Sequence, residues 1–181
     1  MFKYFFFLIY LISFSYSQAD NKEKIIENLK NTENLNFEFE QNINGKIENG
    51  NCIIQYPKKI YCKYIKNNKI LVSNGKSLVI KTKTSFYRYP LNKTGLNLIL
   101  DKKFLIKKID SSKENLFKKT HINFTIIETD NEINVFFDNK TFNLVGWETK
   151  DIYQNVNVTY LSSIEVNQQV DKDLFKLPLQ N

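Results

Sequence analysis

The sequence predicts a mainly β (α+β) domain: one antiparallel sheet curled into an open or closed barrel, with two or three short helices. Three observations carry this. Period-two alternation recurs in short runs along most of the chain, turn residues punctuate it at hairpin spacing, and a few short amphipathic segments interrupt it. At 181 residues the chain makes one domain with room for a core.

Residues 1–17 read as a cleavable secretory signal: one charge at Lys3, an apolar run from Tyr4 to Ile12, and small residues at Ser15 and Ser17. The run is too short to span a bilayer. The mature domain is then 18–181, soluble in an oxidising extracytoplasmic compartment. No cysteine lies near the cleavage point, so lipid attachment there is not expected.

Asp20, with Glu23 three residues on, marks the start of a helix whose stripe is Ile25, Ile26 and Leu29. From Asn34 the period becomes two: Leu35, Phe37 and Phe39 alternate with polar residues as far as Gln41. Asn44-Gly45 is a turn. Lys46 to Tyr56 is the next strand, with Gly50 expected to bend or bulge it. Pro57-Lys58-Lys59 turns the chain into Ile60 to Ile65. Cys52 and Cys62, the only cysteines, are equidistant from residue 57, so antiparallel pairing sets them side by side. A cross-strand disulfide and two buried thiols both fit that register, and an oxidising compartment favours the former.

Asn74-Gly75, between Ile70-Leu71-Val72 and Leu78-Val79-Ile80, predicts a two-residue hairpin turn with positive φ at both residues. That register sets Leu71 opposite Leu78 and Ile70 opposite Val79. Both ribbon faces are then apolar, and the hairpin needs cover on each side. A short strand Ser85 to Tyr89 ends at Pro90. Thr94 is positioned to cap a brief helix, 95–101, bearing Leu96, Leu98, Ile99 and Leu100. Residues 102–119 carry seven lysines, read as a solvated face rather than a docking surface for an acidic partner or an anionic membrane. From His121 the alternation returns in 122–129, 133–138, 142–149 and 155–166. Leu174 and Phe175 form a last apolar pair before Pro178.

The formal net charge is +7. With Arg88 the single arginine and lysines scattered among Asn and Ile, no nucleic-acid footprint is formed. The joint excess of Lys, Asn, Ile, Phe and Tyr is what AT-rich coding produces, and it also accounts for Asn-x-Ser/Thr triplets such as Asn92-Lys93-Thr94. One histidine, no nucleophile elbow, no phosphate-binding glycine loop and no ligand cluster leave neither a catalytic set nor a metal or cofactor site. The expectation is a protein that is not an enzyme but binds something hydrophobic.

Several short motifs are similar, in order and spacing, to the periplasmic outer-membrane lipoprotein carrier family, LolA. They are Phe37-Glu38-Phe39-Glu40-Gln41, Gly50 leading to Tyr56-Pro57, Tyr64, the run from Ile70 to Leu78, Tyr89-Pro90-Leu91 followed by Thr94 and Leu96 to Leu100, and the ending Phe175-Lys176-Leu177-Pro178. The resemblance implies a single strongly curved antiparallel sheet forming an unclosed β-barrel, with short helices as a lid over an apolar cavity, and a monomeric carrier shuttling acylated lipoproteins from an inner-membrane ABC-type exporter to an outer-membrane receptor or to the outer membrane directly. A lipid- or partner-sensing module on the same fold, without transport, is the alternative. The implied cavity and lid residues are Phe37, Phe39, Ile54, Tyr56, Ile60, Tyr64, Leu96, Ile99 and Leu100, each equally compatible with plain core packing. Two positions depart from the pattern. Tyr56 stands where the family has a lid-contacting arginine, and Gly95 where a proline is common.

Overall fold

The alternation of Leu35, Phe37 and Phe39 with polar neighbours folds into the central strand of one continuous sheet, and the rest of the molecule is laid out on either side of it. The computed structural model describes residues 20–117, 120–128, 131–150 and 155–180; the signal-like segment lies outside them. The strands are β1 (Asn34–Ile43), β2 (Lys46–Gln55), β3 (Lys59–Tyr64), β4 (Ile70–Asn74), β5 (Ser77–Lys81), β6 (Phe86–Pro90), β7 (Asn115–Phe117), β8 (His121–Glu128), β9 (Asn131–Asp138), β10 (Leu144–Lys150) and β11 (Val156–Val166). Their order is β6-β5-β4-β3-β2-β1-β11-β10-β9-β8-β7, with antiparallel neighbours throughout. The first and last strands do not pair, so the barrel is unclosed. Among the described residues three α-helices join it: α1 (Asn21–Asn31), α2 (Leu96–Leu100) and α3 (Lys102–Ser111). Among the described residues no helix is long and apolar enough to cross a membrane.

One face of the sheet is apolar because alternate residues of each strand share it. Leu35, Phe37 and Phe39 of β1, Cys52 and Ile54 of β2, Ile60, Cys62 and Tyr64 of β3, and Ile133, Val135 and Phe137 of β9 are buried there with the apolar sides of the helices. Ile25 and Leu29 bring α1 down onto it, Ile99 and Leu100 bring α2, and Leu105 and Ile109 bring α3. The opposite face of β3 and β4 is covered by the C-terminal 3-10 turn, Lys172–Phe175, whose Phe175 is buried. Strand β4 of the Asn74-Gly75 hairpin thus has cover on both sides, with the C-terminal turn on one face and the apolar core on the other.

Several local expectations are corrected. The β4–β5 hairpin pairs Val72 with Val79 and Ser73 with Leu78, two residues out of the predicted register. Only Gly75 has positive φ there, +95°, and the Asn74 Oδ1 accepts from the amides of Lys76 and Ser77 at 3.0 Å. The asparagine serves as an acceptor rather than as a turn residue, which moves the turn one position on. Asn44 and Gly45, by contrast, both have positive φ, 51° and 84°, as a type I′ turn needs. Gly50 makes no bulge, since β1 and β2 pair without a shift through Phe39–Gly50. Asp20 stands at the α1 N-cap, but its side chain caps nothing. Thr94 does not cap α2 either: its hydroxyl donates to the Leu91 carbonyl at 2.8 Å. The lysine-rich stretch, read only as a solvated face, contains α3, started by the Asp101 carboxylate accepting from the Phe104 amide at 3.1 Å.

Candidate functional site

Between the concave face and α2 lies a cavity of about 250 Å³. Its apolar wall is Phe39 of β1, the paired Cys52 and Cys62, Ile60 and Tyr64 of β3, Leu71 and Leu78 of the hairpin, and Leu96 of α2. The two sulfurs are bonded, across residues that face each other in the β2–β3 register. Phe39 and Tyr64 meet edge to face with centroids 4.9 Å apart. The other wall, from β1, β10 and β11, is polar apart from Trp147: Gln41, Thr149, Lys150, Asn157 and Thr159.

Polar groups at one end form a connected chain. The Tyr64 hydroxyl donates to Gln41 Oε1, and Gln41 Nε2 donates to the Thr159 hydroxyl, each at 3.3 Å. Beside Tyr64, Lys69 lies 3.7 Å from the ring centroid and pairs with the Glu48 carboxylate. Burial pushes the Glu48 carboxyl up, but hydrogen bonds and charge from Lys69 and Lys46 outweigh it and hold the group below its ordinary value. Burial, and then the Glu48 charge, pushes the Tyr64 hydroxyl well above its usual range.

Of the residues singled out from sequence, Phe39, Ile60, Tyr64 and Leu96 line this cavity together with the cysteine pair. Phe37, Ile54, Ile99 and Leu100 are fully buried around it and help hold the helices to the sheet. Tyr56 lies elsewhere, in a groove it shares with Glu33, Gln55, Pro57, Lys58 and the Asp101–Lys103 start of α3. Its hydroxyl is buried with no partner, and burial pushes its pKa well above the usual range. The polar tie between sheet and helices at this end comes from the next turn residue but one. The Lys58 amide donates to the Leu100 carbonyl at 2.9 Å, and its ammonium pairs with Asp101 at 3.0 Å. Lys102 reaches back to the Thr32 carbonyl at 2.8 Å, fastening α3 to the end of α1.

Sequence reasoning missed Trp147, Leu71, Leu78 and the polar wall. Leu71 and Leu78 were legible as apolar hairpin residues, but not as neighbours of Phe39. Trp147 carries no local signal of its own: a register shift between Leu144 and Gly146 sets which residues of β10 face inward. Thr149, Asn157 and Thr159 look like solvent-facing strand residues until β11 is seen to pair with β1. Among the described residues no three His, Cys, Asp or Glu side chains are grouped to hold a metal ion.

Fold and cavity together define a LolA-like half-barrel, a concave sheet roofed by helices around an apolar pocket. The model of the outer membrane lipoprotein carrier protein LolA matches residues 18–178, and the chain belongs to that family. Among solved structures, an uncharacterized conserved protein from Thermus thermophilus superposes with a TM-score of 0.53 at 6% identity, covering 88% of this chain and 95% of that one; this likeness shows the fold alone. A putative outer membrane lipoprotein-sorting protein domain from Vibrio parahaemolyticus gives 0.46 at 10% identity, over 86% and 97% of the two chains. A LolA superfamily protein from Nitrosomonas europaea gives 0.44 at 9%, over 87% and 99%. No curated protein matches the chain.

Proposed function

We propose that the protein is a periplasmic carrier that buries the acyl chains of lipoproteins in its cavity and shuttles them from an inner-membrane ABC-type exporter to the outer membrane. The observation that carries this reading is the apolar wall from Phe39 to Leu96 beneath a movable-sized roof, the five-residue helix α2. Membership of a carrier family supports it. Each buried methylene is worth about 0.8 kcal/mol, so a rigid pocket matched to several chains would hold cargo too tightly to release it. A carrier needs a compensating cost. Here that cost is the separation of Ile99, Leu100, Leu105 and Ile109, all fully buried when the helices are down. The carrier performs no covalent step.

The test is to incubate the purified protein with inner-membrane vesicles holding the exporter and labelled triacylated lipoproteins. A soluble one-to-one complex that forms only with ATP is the expected result. Retention of the lipoproteins in the membrane, with uptake of free lipid by the protein, would overturn transport and leave a lipid-sensing module.

A further inference from the structure

The concave face does not end where the cavity does. Strand pairing sets Cys52, Cys62, Leu71, Ile80 and Tyr87 side by side in one row across β2, β3, β4, β5 and β6, and residues paired in this way share a face. The first three line the cavity. A parallel row runs from Ile60 through Ser73 and Leu78 to Tyr89, and Ile60 and Leu78 line the cavity as well. Burial falls along the first row: the cysteines are buried, Leu71 and Ile80 are half-buried, and Tyr87 is 51% exposed, beside Tyr89 at 43%. Neither row contains a charged side chain. The two tyrosine rings stack on each other, centroids 6.5 Å apart and planes within 13°. They stand on β6, the strand at one edge of the sheet. A tyrosine joins an apolar ring to a polar tip, which suits the place where an apolar surface meets water.

The division of the cavity walls gives a ligand its direction. Gln41, Thr149 and Thr159 make the side toward β1, β10 and β11 polar, while the side toward β3, β4 and β5 is apolar. A molecule with one polar end and one apolar tail therefore sends its tail along the rows toward β6. A cavity of about 250 Å³ is small for a long chain, and displacing α2 raises the roof without moving the rows, which belong to the sheet. We propose that Tyr87 and Tyr89 form a second acyl-chain subsite, outside the cavity, on which the tail end of a long-chain ligand lies. This rests on the reading of the cavity as an acyl-chain site. It goes beyond that reading in giving the tail a direction and a place at the sheet edge.

The experiment measures binding of octanoic and hexadecanoic acids by calorimetry, on the wild-type protein and on the double variant Tyr87→Thr, Tyr89→Thr, in which threonine keeps the strand preference. The variant is expected to lose affinity for hexadecanoic acid on the order of tenfold. Octanoic acid, too short to reach β6, is expected to bind the variant and the wild type alike, which is the control for an intact cavity. A second measurement needs no variant. Trp147 is the single tryptophan and stands on the wall away from β6, so its quenching by hexadecanoic acids brominated beside the carboxyl group or at the far end reads where each end lies. Stronger quenching by bromine beside the carboxyl group is the expected result. Unchanged hexadecanoic acid affinity in the variant, or far-end bromine quenching Trp147 as strongly as near-end bromine, overturns the tyrosine subsite and leaves the carrier reading in place. If the variant loses both acids, the quenching pattern decides. Binding of neither acid by wild type removes both readings.

Discussion

At Gly50 the missing side chain is a packing requirement. A Cβ built there would lie 2.3 Å from the Lys63 carbonyl oxygen and 2.7 Å from the Phe39 ring. The first is backbone of the paired strand β3 and cannot swing aside, and the second is packed on Tyr64. Gly50→Ala is therefore expected to cost about 3 kcal/mol, read as a lower denaturation midpoint at unchanged slope. An unchanged midpoint would mean that the strands do not approach this closely. The glycine itself was visible in the sequence, but its reason was not: a bulge and a close contact leave the same residue in the same place. Asn44 and Asn74 make a similar pair. Both precede glycine, yet one adopts the turn conformation and the other accepts hydrogen bonds from it, because a short polar side chain is suited to both.

The helices show how an element divides its work. Ile99 and Leu100 of α2 are fully buried, while Leu96, one turn earlier, lines the cavity. Leu96→Asp is expected to abolish acyl-chain binding with a stability loss near 1 kcal/mol, since the residue is only half-buried and the carboxylate can reach toward solvent. Ile99→Asp puts an unpaired charge into the core and is expected to release α2 from the sheet at a cost of several kcal/mol. Lipid binding and thermal melts on the two variants separate these effects; normal binding by Leu96→Asp would remove α2 from the ligand's path. Helix α3 was hidden by its lysines. Its buried Leu105 and Ile109 have the i, i+4 spacing of a helix stripe, but seven basic residues in eighteen dominate the local reading.

For the whole molecule the decisive quantity is volume. About 250 Å³ falls below the roughly 300–1,000 Å³ of ordinary ligand cavities, so on the proposed carrier reading an acyl ligand has to displace the helices to fit. Amide exchange should then quicken in α2 and α3 when acyl ligand is bound, while β1, β2 and β11 at the sheet centre keep their protection. Unchanged exchange in the helices would mean that the cavity fills without moving them. The sequence by itself determined the curved, half-buried sheet, the short amphipathic cover and the pairing of Cys52 with Cys62 in neighbouring strands. Those follow from periodicity and turn residues, which act between neighbours in the chain. Only the tertiary structure decided that Phe39, Ile60, Tyr64 and Leu96 face an open space while Phe37, Ile54, Ile99 and Leu100 are packed solid. A cavity wall and a core have the same composition, and what separates them is whether the opposite element fills the gap. That depends on where β11, β10 and α2 come to rest, and no stretch of sequence records it alone.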